Sequence, residues 1–182
     1  MKENIFSVTN AQKVLDFLVR TPGKECLSKE IQRATGISKG GLHSAVKHLI
    51  KHKLVSGEQR GKSFFYSVDP SNSVIRQLKI LKNTVLLQPL INKIKDSSKE
   101  IILFGSSSRG EDSSDSDIDL FVLSHDPETI KKLCVLNNTK RKLQLVVRTP
   151  TDYAEMETKE STFYKEIQQG IILWQSKDES RI

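Results

Sequence analysis

Two aspartates separated by one residue follow a serine-rich segment in the run IILFGSSSRGEDSSDSDIDLFVL, residues 101–123. Asp117 and Asp119 are expected on a β-strand, where side chains two positions apart project from the same face. Mg²⁺ prefers such oxygen ligands and leaves its other coordination positions to water and to nucleotide phosphates. The two aspartates are therefore predicted to be metal-binding and catalytic, because bound Mg²⁺ can stabilise a phosphoryl group during its transfer.

The segment before the aspartates has the composition of a phosphate-binding turn. Gly105 permits a tight turn with exposed backbone amides, and Ser106 and Ser107 place hydroxyl groups beside it. Arg109 is near enough in sequence to add positive charge. These four residues are predicted to bind a nucleotide. The alternative is a surface loop rich in serine and aspartate, with its carboxylates facing water.

The spacing of Gly-Ser, about ten residues and then Asp-x-Asp resembles the DNA polymerase beta-type nucleotidyltransferase superfamily. The hexapeptide GSSSRG is most similar to its minimal members. Downstream, residues 145–150 (LVVRTP) resemble the exit of the family's third strand, and 163–167 and 170–174 resemble its closing helix and strand. The resemblance covers about residues 84–176. It implies transfer of a nucleoside monophosphate from an NTP to an acceptor, with Mg²⁺ as cofactor and pyrophosphate as product.

Gln144 departs from the family pattern, which usually has a third carboxylate at this strand position. No Asp or Glu occurs in residues 143–149. A neutral amide is a poor general base. The domain is therefore a slow enzyme, an enzyme that recruits a carboxylate such as Asp152 or Glu155, or a nucleotide-binding domain without catalysis. Because small members of the family modify partner proteins, the resemblance makes a protein hydroxyl one candidate acceptor.

Positive charge is concentrated in the first seventy residues, which hold 12 Lys+Arg against 6 Asp+Glu, whereas residues 71–182 hold 17 against 16. This asymmetry is typical of a domain that binds a polyanion, although a solubilising surface is the alternative. Three helical patterns are followed by two strand patterns. Ser28 and Ser38 are predicted to cap the second and third helices.

The order of helices and strands resembles the winged helix-turn-helix family of DNA-binding domains over about residues 8–68. In that family the third helix enters the major groove, and the wing contacts the backbone or the minor groove. The resemblance predicts DNA contacts by the outward-facing residues of the third helix and of the wing, namely Lys39, His43, Ser44, Lys47, Lys51, Arg60 and Lys62. The alternative is a winged helix that only docks other proteins.

The sequence thus predicts an α+β chain with three parts. Residues 1–70 form a winged-helix DNA-binding domain, 71–98 a helical connector, and 99–182 a mixed-sheet, nucleotidyltransferase-like domain. The connector is either one helix or two helices broken near Gln88-Pro89. Its apolar stripe is a packing seam or the interface of a homodimer, which would suit recognition of two DNA half-sites.

No apolar run is long enough to cross a membrane, and the N-terminus lacks a signal-peptide pattern, so a cytoplasmic protein without a membrane partner is expected. Two cysteines alone exclude a four-cysteine zinc site. The leading hypothesis is an Mg²⁺-dependent nucleotidyltransferase that binds duplex DNA. One alternative is a transcription regulator whose degenerate catalytic domain serves as a nucleotide sensor or dimerisation scaffold. A third is a nucleotidyltransferase directed to RNA.

Overall fold

The computed structural model describes residues 9–135 and 141–176. The chain divides into two compact units, Met1–Gln77 and Leu78–Ile182. Each unit has its own β-sheet, of three strands in the first and four in the second. The predicted α+β class is confirmed. None of the helices in the described ranges is long and apolar enough to span a membrane.

The first unit has three helices and a small antiparallel sheet with strand order β1-β3-β2. Its elements, in chain order, are α1 (Asn10–Leu18), β1 (Cys26–Leu27), α2 (Ser28–Thr35), α3 (Lys39–Lys51), β2 (Ser56–Arg60) and β3 (Ser63–Ser67). Buried aliphatic side chains from all three helices form the core, including Val14, Ile31 and Leu49. This arrangement is the predicted winged helix, with β2 and β3 as the wing.

Local capping chemistry sets the helix ends of this unit. Gly36 ends α2 in the left-handed conformation (φ 69°), as glycine does at many helix C-termini. Ser38 accepts a hydrogen bond from the Gly41 amide at 3.2 Å, which confirms the predicted cap of α3. The predicted cap at Ser28 is wrong, because the helix already begins there. The Leu27 amide instead donates to the Glu30 carboxylate at 2.8 Å.

The second unit is built on a mixed sheet with strand order β6-β5-β4-β7. Strands β5 and β6 are parallel, and the other neighbouring pairs are antiparallel. The elements that complete the chain are α4 (Ser73–Ile94), β4 (Glu100–Phe104), α5 (Gly105–Arg109), β5 (Ile118–Leu123), α6 (Pro127–Val135), β6 (Leu143–Arg148), α7 (Pro150–Lys159), α8 (Ser161–Gln168) and β7 (Ile171–Gln175). A short 3₁₀ turn follows α4.

Apolar side chains cover both faces of this sheet. One cluster joins α4 and α6 to the sheet through residues such as Leu90, Leu120 and Ile130. The other joins α7 and α8 through Met156 and Ile167. Because both of its faces are covered, β4 is buried along its whole length. The sheet therefore gives rigid support to the residues at the end of β4 and at the start of β5.

The connector forms one continuous helix, α4, rather than two helices broken near Gln88-Pro89. Pro89 lies inside this helix and is exposed. Proline cannot donate the backbone hydrogen bond to the residue four positions earlier. Packing of Leu87, Leu90 and Ile91 in the core of the second unit compensates for this loss.

Candidate active site and nucleic-acid interface

The turn between β4 and α5 brings the backbone close to Asp119. Gly105 has φ +67°, a left-handed conformation that glycine adopts without strain. A Cβ atom added to Gly105 would collide with the carboxylate of Asp119. The residue is thus glycine for two reasons, its backbone conformation and the close approach of this carboxylate. Instead of the isolated turn expected from the sequence, Gly105 is the first residue of a one-turn helix.

Asp117 and Asp119 lie at the start of β5 on one side of the sheet. Ile118 between them is fully buried, whereas both aspartates are half-buried, in keeping with strand alternation. Asp119 pairs with Phe104 at the end of β4. The structure therefore brings together the two aspartates and Gly105, as their spacing predicts.

The pKa of Asp119 is raised above its ordinary value. Burial is the largest cause, followed by the negative charges of Glu166 and Asp117, whereas Arg141 and Arg109 oppose the shift. A site that crowds carboxylates in this way is stabilised by a bound cation. The carboxylate pair fits Mg²⁺, which takes oxygen ligands and retains several waters.

Gln144 lies directly opposite Asp119 in the parallel register of β5 and β6. Its side chain is exposed, and β6 is an edge strand. Across residues 9–135 and 141–176, no group of three or more His, Cys, Asp or Glu side chains has the arrangement of a metal site. The described site thus offers two carboxylates where the family pattern has three.

Neither carboxylate suggested by the sequence as a replacement lies at this site. Asp152 accepts hydrogen bonds from Thr149 at the start of α7, and Glu155 pairs with Lys159 at 2.6 Å. Both line a groove of about 500 Å³ beside Arg148, at the far end of β6. Because β5 and β6 run parallel, that end is opposite to the one carrying Asp119.

Glu166 is a carboxylate that the sequence analysis missed. It is exposed on α8, which packs on β4 through Ile167 and through an edge-on contact of the Phe163 and Phe104 rings, with centroids 5.7 Å apart. Its charge acts on Asp119, which lies opposite Phe104. No sequence signal could have identified Glu166, because its position depends on how α8 packs on the sheet.

The predicted nucleotide-binding residues have different surroundings. Ser106 is half-buried. Ser107 is completely buried, and its hydroxyl group accepts a hydrogen bond from Arg141 Nη2 at 3.2 Å. Arg109 is exposed, and its Nε donates to Glu111 at 2.9 Å. Of these side chains, Ser106 and Arg109 are accessible to a nucleotide, whereas Ser107 faces the protein interior.

A buried cluster of charged and polar side chains lies behind the aspartates, and the sequence analysis did not anticipate it. Lys79, Asn83 and Asp112 are each at least 94% buried. Arg141 Nη1 donates to Asp112 Oδ2 at 2.7 Å and to Asn83 Oδ1 at 3.1 Å. Lys79 Nζ lies 3.6 Å from Asp112 Oδ1 and donates to its backbone carbonyl. This buried ionic cluster (Lys79, Asn83, Asp112 and Arg141) joins α4 to the segment that carries the aspartates.

In the first unit, α3 turns its predicted DNA-contacting residues to solvent. The helix buries Leu42, Ala45, Val46 and Leu49 on one face. The residues that it exposes include all five predicted there, namely Lys39, His43, Ser44, Lys47 and Lys51. An exposed face with three lysines has the charge and shape to lie along a polyanion.

The wing carries the other two predicted contacts, which differ in their surroundings. Arg60 forms ion pairs with Glu25 at 2.8 Å and Glu58 at 2.6 Å, and it lies over the Phe65 ring. Lys62, beyond the turn at Gly61, is exposed. The charge of Arg60 is therefore already balanced by two carboxylates.

The fold and the paired aspartates define a nucleotidyltransferase-type domain that follows a winged-helix domain. Comparison with protein families agrees. Residues 88–179 match the model described as polymerase beta, nucleotidyltransferase, and residues 13–62 match the MarR family. Since the first match spans half of the chain, the protein belongs to the polymerase beta nucleotidyltransferase family, and it carries a MarR-type DNA-binding domain.

Individual proteins add little to this assignment. No curated protein matches the chain significantly. Among solved structures, the crystal structure of M. tuberculosis Rv0081 matches at 19% identity and a TM-score of 0.37. The match covers 47% of this chain and 81% of that one.

Proposed function

We propose that the second unit binds an NTP with Mg²⁺ and transfers its nucleoside monophosphate to a hydroxyl group of an acceptor, for which a partner protein is one candidate. The observation that carries this proposal is the pair of carboxylates at the start of β5, with the Asp119 carboxylate packed against Gly105. Asp117 and Asp119 are the proposed metal ligands. Bound Mg²⁺ would neutralise charge on the phosphates and orient them for displacement.

The residues around the pair suit the remaining tasks. The backbone at Gly105 and the Ser106 hydroxyl would contact the triphosphate, and Arg109 would balance its negative charge. Lys142 Nζ lies 3.3 Å from Asp117 Oδ2 and is exposed, so it is a further cation at the same site. In the reaction, the acceptor oxygen bonds to the α-phosphorus as the bond to pyrophosphate breaks. The hydroxyl proton passes to solvent or to a nearby carboxylate.

The first unit is proposed to bind duplex DNA in the cytoplasm through α3 and the wing. Its support is the exposed lysine-bearing face of α3 together with the net positive charge of the first seventy residues. A homodimer would present two such faces to two half-sites. The apolar residues exposed on α4, Leu81, Val85 and Leu86, are the proposed contact between protomers.

A second candidate function is supported by Gln144. With an amide opposite Asp119, the second unit would bind a nucleotide without transferring it and would act as a sensor for a DNA-binding regulator. This version predicts Mg²⁺-dependent nucleotide binding, no transfer to any acceptor, and DNA affinity that changes with the nucleotide. Preference for structured RNA over duplex DNA would instead favour an RNA-directed enzyme.

Thermal unfolding with each NTP, with and without Mg²⁺, tests the proposed site without knowledge of the acceptor. Trp174 is the single tryptophan and packs against the core of the second unit, so its fluorescence reports on that unit. Ligand at a hundred times its Kd stabilises the native state by about 2.7 kcal/mol, which raises the midpoint by roughly 5–10 °C.

The control for this experiment is the double variant Asp117→Ala/Asp119→Ala, which should lose the Mg²⁺-dependent rise. A rise that persists in the double variant would place nucleotide binding elsewhere. No rise in the wild-type protein with any nucleotide would refute both candidate functions of the second unit. If the Mg²⁺-dependent rise is observed, incubation with cell extract and NTP radiolabelled at the α-phosphate separates transfer to a protein from binding alone.

A further inference from the structure

We propose that the buried ionic cluster of Lys79, Asn83, Asp112 and Arg141 positions the metal-binding aspartates, with Arg141 as the positioning residue. The inference rests on the proposed function of the second unit and assigns a role to residues outside its catalytic pair. All four side chains belong to that unit. They come from three separate segments, namely α4, the loop after α5 and the segment just before β6.

The guanidinium of Arg141 holds the end of the loop that leads into β5. Its Nε donates to the Ser116 carbonyl at 2.9 Å, and Nη2 donates to the Asp117 carbonyl at 3.2 Å. Nη2 also donates to the Ser107 hydroxyl at 3.2 Å. Arg141 thus bonds the backbone of Asp117 and leaves its carboxylate available to a metal ion. The same group fixes the distance between the aspartates and α5.

Asp112 and Asn83 fix the other end of this loop. Asp112 accepts from Arg141 Nη1 and from Asn83 Nδ2 at 3.3 Å. Asn83 Nδ2 also donates to the Ser107 carbonyl at 3.1 Å. Lys79 supplies a second positive charge to Asp112 from the same helix, α4. The loop between α5 and β5 is therefore anchored near its start and at its end to one charged cluster.

The free-energy cost of burying the charged groups of this cluster favours a positioning role over a stabilising one. Burying charges costs several kcal/mol per ion, and apolar residues of similar volume often give equal or greater stability. A group of buried ions is thus a poor way to gain stability but an effective way to fix geometry. Metal ligands and phosphate contacts must be held to within about half an ångström, which a fork of directed hydrogen bonds achieves.

The test replaces the charges by apolar side chains in the triple variant Lys79→Met/Asp112→Leu/Arg141→Met. Three quantities are measured: the unfolding midpoint from Trp174 fluorescence, Mg²⁺-dependent NTP affinity, and hydrogen exchange of residues 113–119 without ligand. We expect a midpoint near that of the wild type, at least tenfold weaker Mg²⁺·NTP binding, and faster exchange of residues 113–119. The control Glu128→Gln/Lys131→Met removes an exposed ion pair of the same unit and should change none of them.

Wild-type NTP affinity together with wild-type exchange in the triple variant would overturn the proposal. If the wild-type protein itself binds no NTP, the proposed function fails, and the exchange of residues 113–119 alone decides whether the cluster orders this loop. If the triple variant does not fold, Arg141→Lys provides the test. Lysine keeps the charge but cannot bond to Ser116, Asp117 and Ser107 together, so the same loss of affinity and loop protection is expected.

Discussion

Asp119 and Gln144 face each other across the parallel strands β5 and β6, so an aspartate of the proposed metal pair has a neutral amide as its strand neighbour. A carboxylate at position 144 would stand on the same face of the sheet as Asp119, because residues paired in register share a face. Gln144 is thus the observation in favour of the nucleotide sensor, and the effect of a carboxylate at this position tests it against the enzyme.

The variant Gln144→Glu changes the amide to a carboxylate with almost no change in shape. We expect tighter Mg²⁺ binding and, if the second unit is an enzyme, faster transfer of the nucleoside monophosphate. Without metal, the added charge near Asp119 should lower the free energy of unfolding of the second unit by about 1 kcal/mol. The unfolding midpoint should then fall by a few degrees. The measurements are Mg²⁺ titrations followed by Trp174 fluorescence and by NTP turnover.

The matched control is Gln88→Glu, which adds the same charge at an exposed position of α4. It should leave Mg²⁺ affinity unchanged. Equal Mg²⁺ affinities for Gln144→Glu and the wild type would show that position 144 does not reach the metal.

Removing the charge of Asp119 should stabilise the ligand-free protein. Its pKa is raised by burial and by the charges of Glu166 and Asp117, so the ionised form is disfavoured in the folded state. The folded state therefore binds more protons than the unfolded state between the two pKa values, and the contribution of Asp119 to stability is lost as pH rises through that window. At pH 7.5, Asp119→Asn should raise the midpoint by about 1–3 °C while abolishing the Mg²⁺-dependent rise.

The same comparison at pH 4 supplies a check on the sign, since the difference between Asp119→Asn and the wild type should shrink there. Asp115→Asn, an exposed change in the same loop, is the control and should not alter the midpoint. A lower midpoint for Asp119→Asn at neutral pH would contradict the proposed crowding of charge.

Lys47 and Arg60 are expected to contribute unequally to DNA binding. Lys47 is exposed on α3, whereas Arg60 is held by Glu25 and Glu58. A lysine that contacts one phosphate contributes about 0.9 to the slope of log affinity against log salt. Lys47→Ala should reduce the slope by about this amount, and Arg60→Ala by less than half of it.

Fluorescence anisotropy with a labelled duplex at several salt concentrations measures both slopes. Lys131→Ala, in the second unit, is the control for a general loss of charge. A larger effect of Arg60→Ala than of Lys47→Ala on the slope would contradict this ranking.

Pro89 should destabilise α4 relative to alanine. The helix continues through Pro89, so the missing backbone donor leaves one hydrogen bond unmade. Because the side chain is exposed, Pro89→Ala removes little packing and should raise the free energy of unfolding by about 1–3 kcal/mol. Denaturant unfolding followed by Trp174 fluorescence measures the change. Gln88→Ala should have almost no effect, and an equal stabilisation by both variants would argue against the proline as the cause.

The sequence predicted those features that depend on local chemistry. Ser38 marks the start of α3 by its hydrogen-bonding preference, and the aspartate pair is encoded by strand alternation. The sequence does not decide whether the helix continues through Pro89, because the packing that preserves it comes from residues distant in sequence. Glu166 and Arg141 were missed for the same reason: neither lies near the aspartates in sequence, and only the packed fold brings their charges to this site.

Strand β6 lies at the edge of its sheet, and Gln144 is exposed there. A substitution at this position disturbs no further strand and no buried core, whereas Asp119 is confined between two strands and Gly105. Glutamine and glutamate codons differ by one base. A single point mutation is therefore enough to give position 144 a carboxylate, and the exposed edge-strand position admits it without a change of fold.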